Sequence, residues 1–244
     1  MANPLESPVE PQEDCQSCPV RSAALFGEIS PELVERVQSA TQPLAHPAGE
    51  VLFEAGQRAD AAFTLREGTV KLVRSQPGNR SQIVRLLVGG DLLGAEGLFG
   101  EPYQHTAIAL TPVRLCRLPM ALLELLRTED PRFTDALLGR WRRALSEVET
   151  LAVELGTCKA EERLAAFFLH WQRKHDKHGD SVDWLPLPLS RTELGELLGL
   201  RVETVSRLMA RWKREGLLKE AGGKIQLLDT ATLHGTATDE GLCT

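Results

Sequence analysis

Hydrophobic positions change their period three times along the chain. Between Gly49 and Pro119, short apolar or alternating runs recur at Glu50–Glu54, Ala62–Arg66, Thr69–Arg74, Gln82–Val88, Thr106–Leu110 and Val113–Leu118, with glycines between them. Many short strands punctuated by turn signals predict a small antiparallel β-roll. A short helix near Pro31–Ser39 precedes it. From Pro131 to Leu155 the spacing becomes alternately four and three: Thr134, Leu138, Trp141, Leu145, Val148, Ala152, Leu155. That spacing predicts one long helix carrying an a/d seam for a second copy of the chain. Ala160–Lys177 follows as another helix, with Leu164, Phe167, Phe168 and Trp171 on its apolar side.

The last change of pattern, Ser190–Leu218, predicts two short helices around a tight turn. Ser190 and Glu193 form a capping box, Leu194, Leu197 and Leu198 make one face, and Gly199 supplies the turn. Gly195 leaves room for the second helix to cross closely. On that helix Val202, Val205, Leu208 and Met209 are expected inward, and Glu203, Ser206 and Arg207 outward. Two short apolar runs joined at Gly222-Gly223 predict a β-hairpin. Helix-turn-helix plus hairpin is a winged helix, whose second helix enters the DNA major groove. Arg207 suits guanine, Glu203 suits cytosine N4, and Ser206 is adaptable. Arg191, Thr192, Arg201, Thr204 and Arg211 complete the expected DNA-contact set. The fold class is therefore α+β: an N-terminal antiparallel β-roll, a long dimerisation helix and a C-terminal winged helix-turn-helix. The expected divisions are 1–20, 21–129, 130–156, 157–230 and a tail, 231–244, that frays.

Composition narrows the class. The 244 residues are 42% hydrophobic and 25% charged, enough for one large or two modest domains. No apolar run reaches membrane-span length, and the acidic, proline-bearing start does not resemble a signal peptide, so a cytoplasmic protein is expected. The net charge is −6, yet Leu187–Lys219 holds seven basic and four acidic residues, a local +3. A basic reader inside an acidic protein fits selective binding to double-stranded DNA as a homodimer. Cys15-x-x-Cys18 could instead suggest a dithiol oxidoreductase, but it follows a polar tail and opens no thioredoxin-like βαβ unit; no nucleophile elbow, phosphate loop or zinc-protease motif occurs.

Five stretches, Gly49–Phe53, Gly68–Leu72, Gly90–Gly94, Ala160–Phe167 and Val202–Leu208, resemble the CRP/FNR family of bacterial transcription factors, FNR branch. The resemblance covers roughly Cys15 to Asp229. It implies a cyclic-nucleotide-binding-like jelly roll, a twofold dimer, a TTGAT-type half-site read by Glu203, Ser206 and Arg207, and contacts with RNA polymerase that activate transcription. It also implies where ligands would lie. Ala95 and His105 occupy the positions of the ribose-binding glutamate and phosphate-binding arginine of cyclic-nucleotide-binding relatives, with Glu96 one place along, which argues against cyclic AMP. Cys15, Cys18 and Cys116 match three of the four [4Fe–4S] ligands of oxygen-sensing relatives, while Ala23-Ala24 stand where another cysteine is expected. Asp14 and His46 are candidates for the fourth ligand; Cys158 and Cys243 match none. Three readings stay open: a cluster with a noncysteine ligand, a thiol–disulfide switch, or remnant cysteines beside a non-redox small-molecule or heme effector. His46 and His105 are the only histidines of the sensor half; His170, His175 and His178 are expected in solvent.

Overall fold

The computed structural model describes residues 18, 20, 25, 31–76, 80–176 and 183–238. Most of the N-terminal segment, including Cys15, lies outside this set, as do most of the polar link at 177–183, His178, and Cys243. The chain divides into two compact units, one ending at Leu145 and the other starting at Ser146.

The first unit begins with α1 (Pro31–Ala40) and continues through β1 (Gln42–His46), β2 (Val51–Phe53), β3 (Ala61–Glu67), β4 (Val70–Gln76), β5 (Arg80–Leu87), β6 (Leu92–Leu93), a short 3-10 turn at Ala95–Phe99, β7 (Thr106–Ala109) and β8 (Val113–Pro119). The strands make two four-stranded antiparallel sheets, ordered β1-β8-β3-β6 and β2-β7-β4-β5. Leu52, Phe53, Phe63, Leu65, Tyr103 and Leu115 fill the roll. Tyr103 stacks on Phe53 with ring centroids 3.9 Å apart, and its hydroxyl donates to the Ala61 carbonyl at 2.7 Å. The opposite face of β3 and β8, at Ala62 and Leu118, packs with Leu33, Val37, Leu122, Leu126, Phe133 and Leu137. Those residues come from α1, from α2 (Met120–Glu129) and from the start of α3 (Pro131–Thr157).

β1, β6 and α2 are additional to the expected elements. The break between α2 and α3 is local chemistry. Asp130 is extended (φ −133°), as a residue before proline prefers, and its carboxylate accepts from the Arg132 N–H at 3.0 Å. Pro131 then begins the helix where no N–H is needed.

The second unit holds the rest of α3, then α4 (Ala160–Asp176), β9 (Leu185–Pro186), α5 (Arg191–Leu198), α6 (Val202–Arg214), β10 (Leu218–Ala221), β11 (Lys224–Leu227) and α7 (Thr230–Thr238). The hairpin β10-β11 is extended by β9 into a three-stranded sheet. Gly222 and Gly223 both have positive φ, 55° and 72°, as a two-residue hairpin turn requires. The stretch after Asp229, expected to fray, instead forms α7, which packs against α4 and buries Leu233 completely. Its near-absence of charge and its many threonines gave no helical stripe to detect in advance.

Candidate nucleic-acid interface

The helix-turn-helix is built by the residues that the sequence pointed to, with two corrections. Both halves of the capping box form: Glu193 N–H donates to Ser190 Oγ (3.2 Å) and Ser190 N–H donates to Glu193 Oε2 (2.8 Å). Gly199 ends α5 at φ 63°. Gly195 is small for a different reason than a helix crossing. A Cβ there would stand 2.5 Å from the Leu200 carbonyl oxygen, so the close neighbour is the turn. That carbonyl approaches because the Gly195 carbonyl accepts the Leu200 N–H at 3.0 Å. On α6, Val205, Leu208, Met209 and Trp212 are buried, but Val202 is 37% exposed; it sits at the first helical position, where the helix has just left the turn.

Glu203, Ser206, Arg207, Ala210, Lys213 and Arg214 form one exposed stripe along α6. Thr192 and Arg201 are also exposed, and Thr204 is half-buried. The side chains of Arg201 and Arg207 make no hydrogen bond or ion pair with any described residue, though the Arg201 carbonyl accepts the Thr204 and Val205 N–H groups. Two expected contact residues are engaged elsewhere. Arg191 donates to Glu220 of β10 at 2.5 and 2.6 Å, and Lys213 donates to the same carboxylate at 3.0 Å. Arg211 is ion-paired with Glu161 of α4, which also accepts from Trp212 Nε1 at 3.0 Å. Burial pushes the Glu161 and Glu220 carboxyls up, but these hydrogen bonds and neighbouring charges outweigh it and hold both below the usual glutamate range.

The start of α4 fixes this frame. Glu162 caps it by accepting the Lys159 N–H at 2.7 Å. Arg163 donates to the Cys158 carbonyl and to the Leu198 carbonyl, both at 2.9 Å, tying α4 to the end of α5. The sequence marked this stretch as the start of a helix and as a family resemblance, without assigning its charged residues a role. Its three charged residues each have a structural partner.

On α3, Leu138, Trp141, Leu145 and Val148 are 54%, 36%, 59% and 42% exposed, and Ala152 is exposed too. Leu155 is half-buried and lies close to Gly199. A neighbour that periodicity did not reveal is Phe99, 56% exposed, whose ring lies 4.9 Å from that of Trp141. Its signal was an aromatic residue standing between the glycines at 97 and 100.

In the roll, Glu96 Oε1 lies 3.6 Å from His105 Nδ1. Neither Glu96 Oε2 nor His105 Nδ1 has a hydrogen-bond partner among the described residues, though both are shielded from solvent. His46 is buried beside Glu50, its Nδ1 3.1 Å from Oε1. His170 lies 3.6 Å from the buried Glu154, and His175 stacks edge-on against Trp171, so neither is simply solvated.

Cys18 and Cys116 are not disulfide-bonded. Cys116, on β8, pairs in register with Pro43 and Thr64. Cys158, just past α3, is buried, its Sγ 3.7 Å from the Thr157 hydroxyl. A [4Fe–4S] cluster needs four donors. Among the described residues no three His, Cys, Asp or Glu side chains gather closely enough to hold a metal ion. Of the three expected cluster ligands, Cys18 and Cys116 are among the described residues and Cys15 is not. The segment bearing Cys18 does reach the roll. Val20 is buried, and a Cβ on Gly89 would lie 3.2 Å from its Cγ1. The next residue, Gly90, accepts from Arg140 of α3 at 3.0 Å.

Comparison with known proteins identifies the frame. The Cyclic nucleotide-binding domain family matches residues 43–129, and the Crp-like helix-turn-helix domain family matches residues 162–235. The transcriptional activator protein FnrA of Stutzerimonas stutzeri is 31% identical over 189 residues, covering 78% of this chain and 78% of that protein. The chain belongs to the CRP/FNR family of transcriptional regulators. Another CRP/FNR relative, the transcriptional activator protein anr of Pseudomonas aeruginosa, is 28% identical over 97% of this chain and 98% of its own length. The solved structure of FixK2 from Bradyrhizobium japonicum superposes with a TM-score of 0.74 at 25% identity, covering 80% of this chain and 96% of that one. As a CRP/FNR protein the chain is a DNA-binding transcription regulator, in a family of regulators rather than enzymes. Among the described residues no helix is long and apolar enough to cross a membrane.

Proposed function

We propose that this regulator binds a TTGAT-type inverted repeat as a homodimer and responds to oxygen or redox state through Cys15, Cys18 and Cys116. The observation that carries the DNA part is the exposed stripe of α6, where Glu203, Ser206 and Arg207 stand together and Arg207 has no partner among the described residues. A guanidinium in that position can bond guanine bidentately. The dimer seam is Leu138, Trp141, Leu145, Val148, Ala152 and Leu155, with Phe99 beside it. A helix with that much apolar side chain in solvent is the sort of surface a second copy covers. Arg191, Thr192, Arg201, Thr204 and Arg211 serve the phosphate backbone and groove walls. RNA polymerase is the further partner, and activation the expected output.

For the signal, names such as Anaerobic regulatory protein of Pasteurella multocida and Electron transport regulator A of Shewanella oneidensis, both among the relatives, favour a redox input. The response would come through Cys15, Cys18 and Cys116, either as ligands of a cluster completed by a fourth donor or as thiols themselves. From Cys18 the route runs through Val20 and the Gly89-Gly90 turn to Arg140 on the dimer helix. Cyclic AMP is not the effector, since His105 faces Glu96 where an arginine would meet a phosphate. One titration tests both parts. Protein purified without air should bind a TTGAT inverted repeat far better than a scrambled duplex, and a thiol oxidant should change that affinity several-fold. Equal binding to both duplexes would refute the half-site. Affinity indifferent to oxidant and air would refute the redox input.

A further inference from the structure

Two carboxylates from outside the helix-turn-helix reach into its cation set. Glu220, on the wing strand β10, accepts from both Arg191 and Lys213. Glu161, in the first turn of α4, holds Arg211 and is itself fixed by Trp212. Lys213 belongs to the exposed stripe that carries Glu203 and Arg207, and Arg191 is the first residue of α5. Three of the seven cations between Leu187 and Lys219 are thus matched by carboxylates that lie outside that stretch. Arg201, Arg207 and Arg214 have no such partner among the described residues.

Non-specific affinity for DNA is almost entirely phosphate neutralisation with release of counterions. A cation already bonded to a carboxylate contributes less to it. Either the pair stays formed and its net charge is small, or the cation leaves and strands an anion facing the duplex. Both routes make contact with arbitrary DNA less favourable. Arg207, which would read the base, keeps its full charge.

We propose that Glu220 and Glu161 are internal competitors for DNA phosphate, limiting non-specific binding by holding Arg191, Lys213 and Arg211. This rests on the helix-turn-helix binding DNA, which is the family's property, and goes beyond it in assigning these two acids a role against DNA. Such a restraint matters because arbitrary genomic sequence competes with every operator.

The test uses the full chain and a duplex lacking the half-site, titrated across a potassium chloride series. Wild type is compared with Glu220→Gln, Glu161→Gln and a control, Glu101→Gln, which removes the same charge from an exposed position in the roll. Wild-type binding to the inverted repeat is measured alongside, so that failure of the half-site assignment is seen separately. For Glu220→Gln the plot of log affinity against log salt should steepen by about 0.9 per bound protomer, the share of one additional neutralised phosphate. At 0.1 M salt that is about an eightfold gain in non-specific affinity per protomer. Glu161→Gln should move the same way, and Glu101→Gln should match wild type. Circular dichroism and thermal unfolding establish that each variant folds; should Glu220→Gln lose its wing, Glu161→Gln decides by the same criteria. A purely structural role for these acids would not steepen the salt dependence. A folded Glu220→Gln or Glu161→Gln with the slope and affinity of Glu101→Gln, or with weaker non-specific binding, overturns the proposal.

Discussion

Arg207 stands in solvent one turn beyond Glu203, on a helix whose other side is locked into the core by Val205, Leu208, Met209 and Trp212. Truncating it would remove the proposed base contact without disturbing that core. Arg207→Ala should therefore cost about 1–3 kcal/mol per half-site, relax preference at the guanine, and leave thermal stability unchanged. A selection or competition assay on variant half-sites measures this; an unchanged base preference would remove Arg207 from the reading set. Arg207 was legible in the sequence because its exposure follows from helical spacing alone. The roles of Arg191 and Arg211 were not. Their partners come from other elements, Glu220 lying 29 residues from Arg191, and no local pattern encodes a contact across that separation. Val202 was misjudged for a related reason: periodicity placed it on the apolar face, but a residue at the helix's first turn is only partly covered.

At the scale of elements, α3 and α4 meet around a buried acid. Glu154 is 5% exposed on α3, with His170 Nδ1 3.6 Å away on α4. Burial raises its carboxyl above the ordinary 4.5, and the charge of Arg173 offsets part of that. The native state thus holds this proton more tightly than the unfolded chain does. Its contribution is favourable in acid and is lost as pH rises from about 4.5 through the raised value. Glu154→Gln keeps the shape and removes the ionisation. The variant should gain stability over wild type as pH rises through that window and then hold a constant advantage. Denaturant unfolding from pH 4 to 8 checks it, and a difference that does not vary with pH would contradict it. Strands β2–β5, β7 and β8 and the long helix were legible because alternation and the four-three stripe are local, whereas β1 and β6 were not. α2 was missed because it follows β8 without a loop, and α7 because its stability comes from packing Leu233 against α4 rather than from its own sequence.

The whole molecule is a roll-bearing unit and a reader-bearing unit sharing the long helix α3, whose middle turns leave Leu138, Trp141, Leu145 and Val148 in solvent. A single copy leaves that apolar stripe uncovered and offers one reader, whereas an inverted repeat presents two half-sites about one helical turn apart. The architecture followed from the order of hydrophobic periods; the apolar contribution of Phe99 did not, because it comes from the roll. Sedimentation of the protein with a TTGAT inverted-repeat duplex, for wild type and Leu145→Glu, tests the central claim most directly. The account predicts two wild-type chains per duplex, while Leu145→Glu, with a charge in the seam, stays a folded monomer and loses at least about tenfold in affinity for the repeat, since each 1.4 kcal/mol is tenfold. A wild-type chain that remains monomeric on the repeat, or a Leu145→Glu variant that binds it undiminished, would contradict the account.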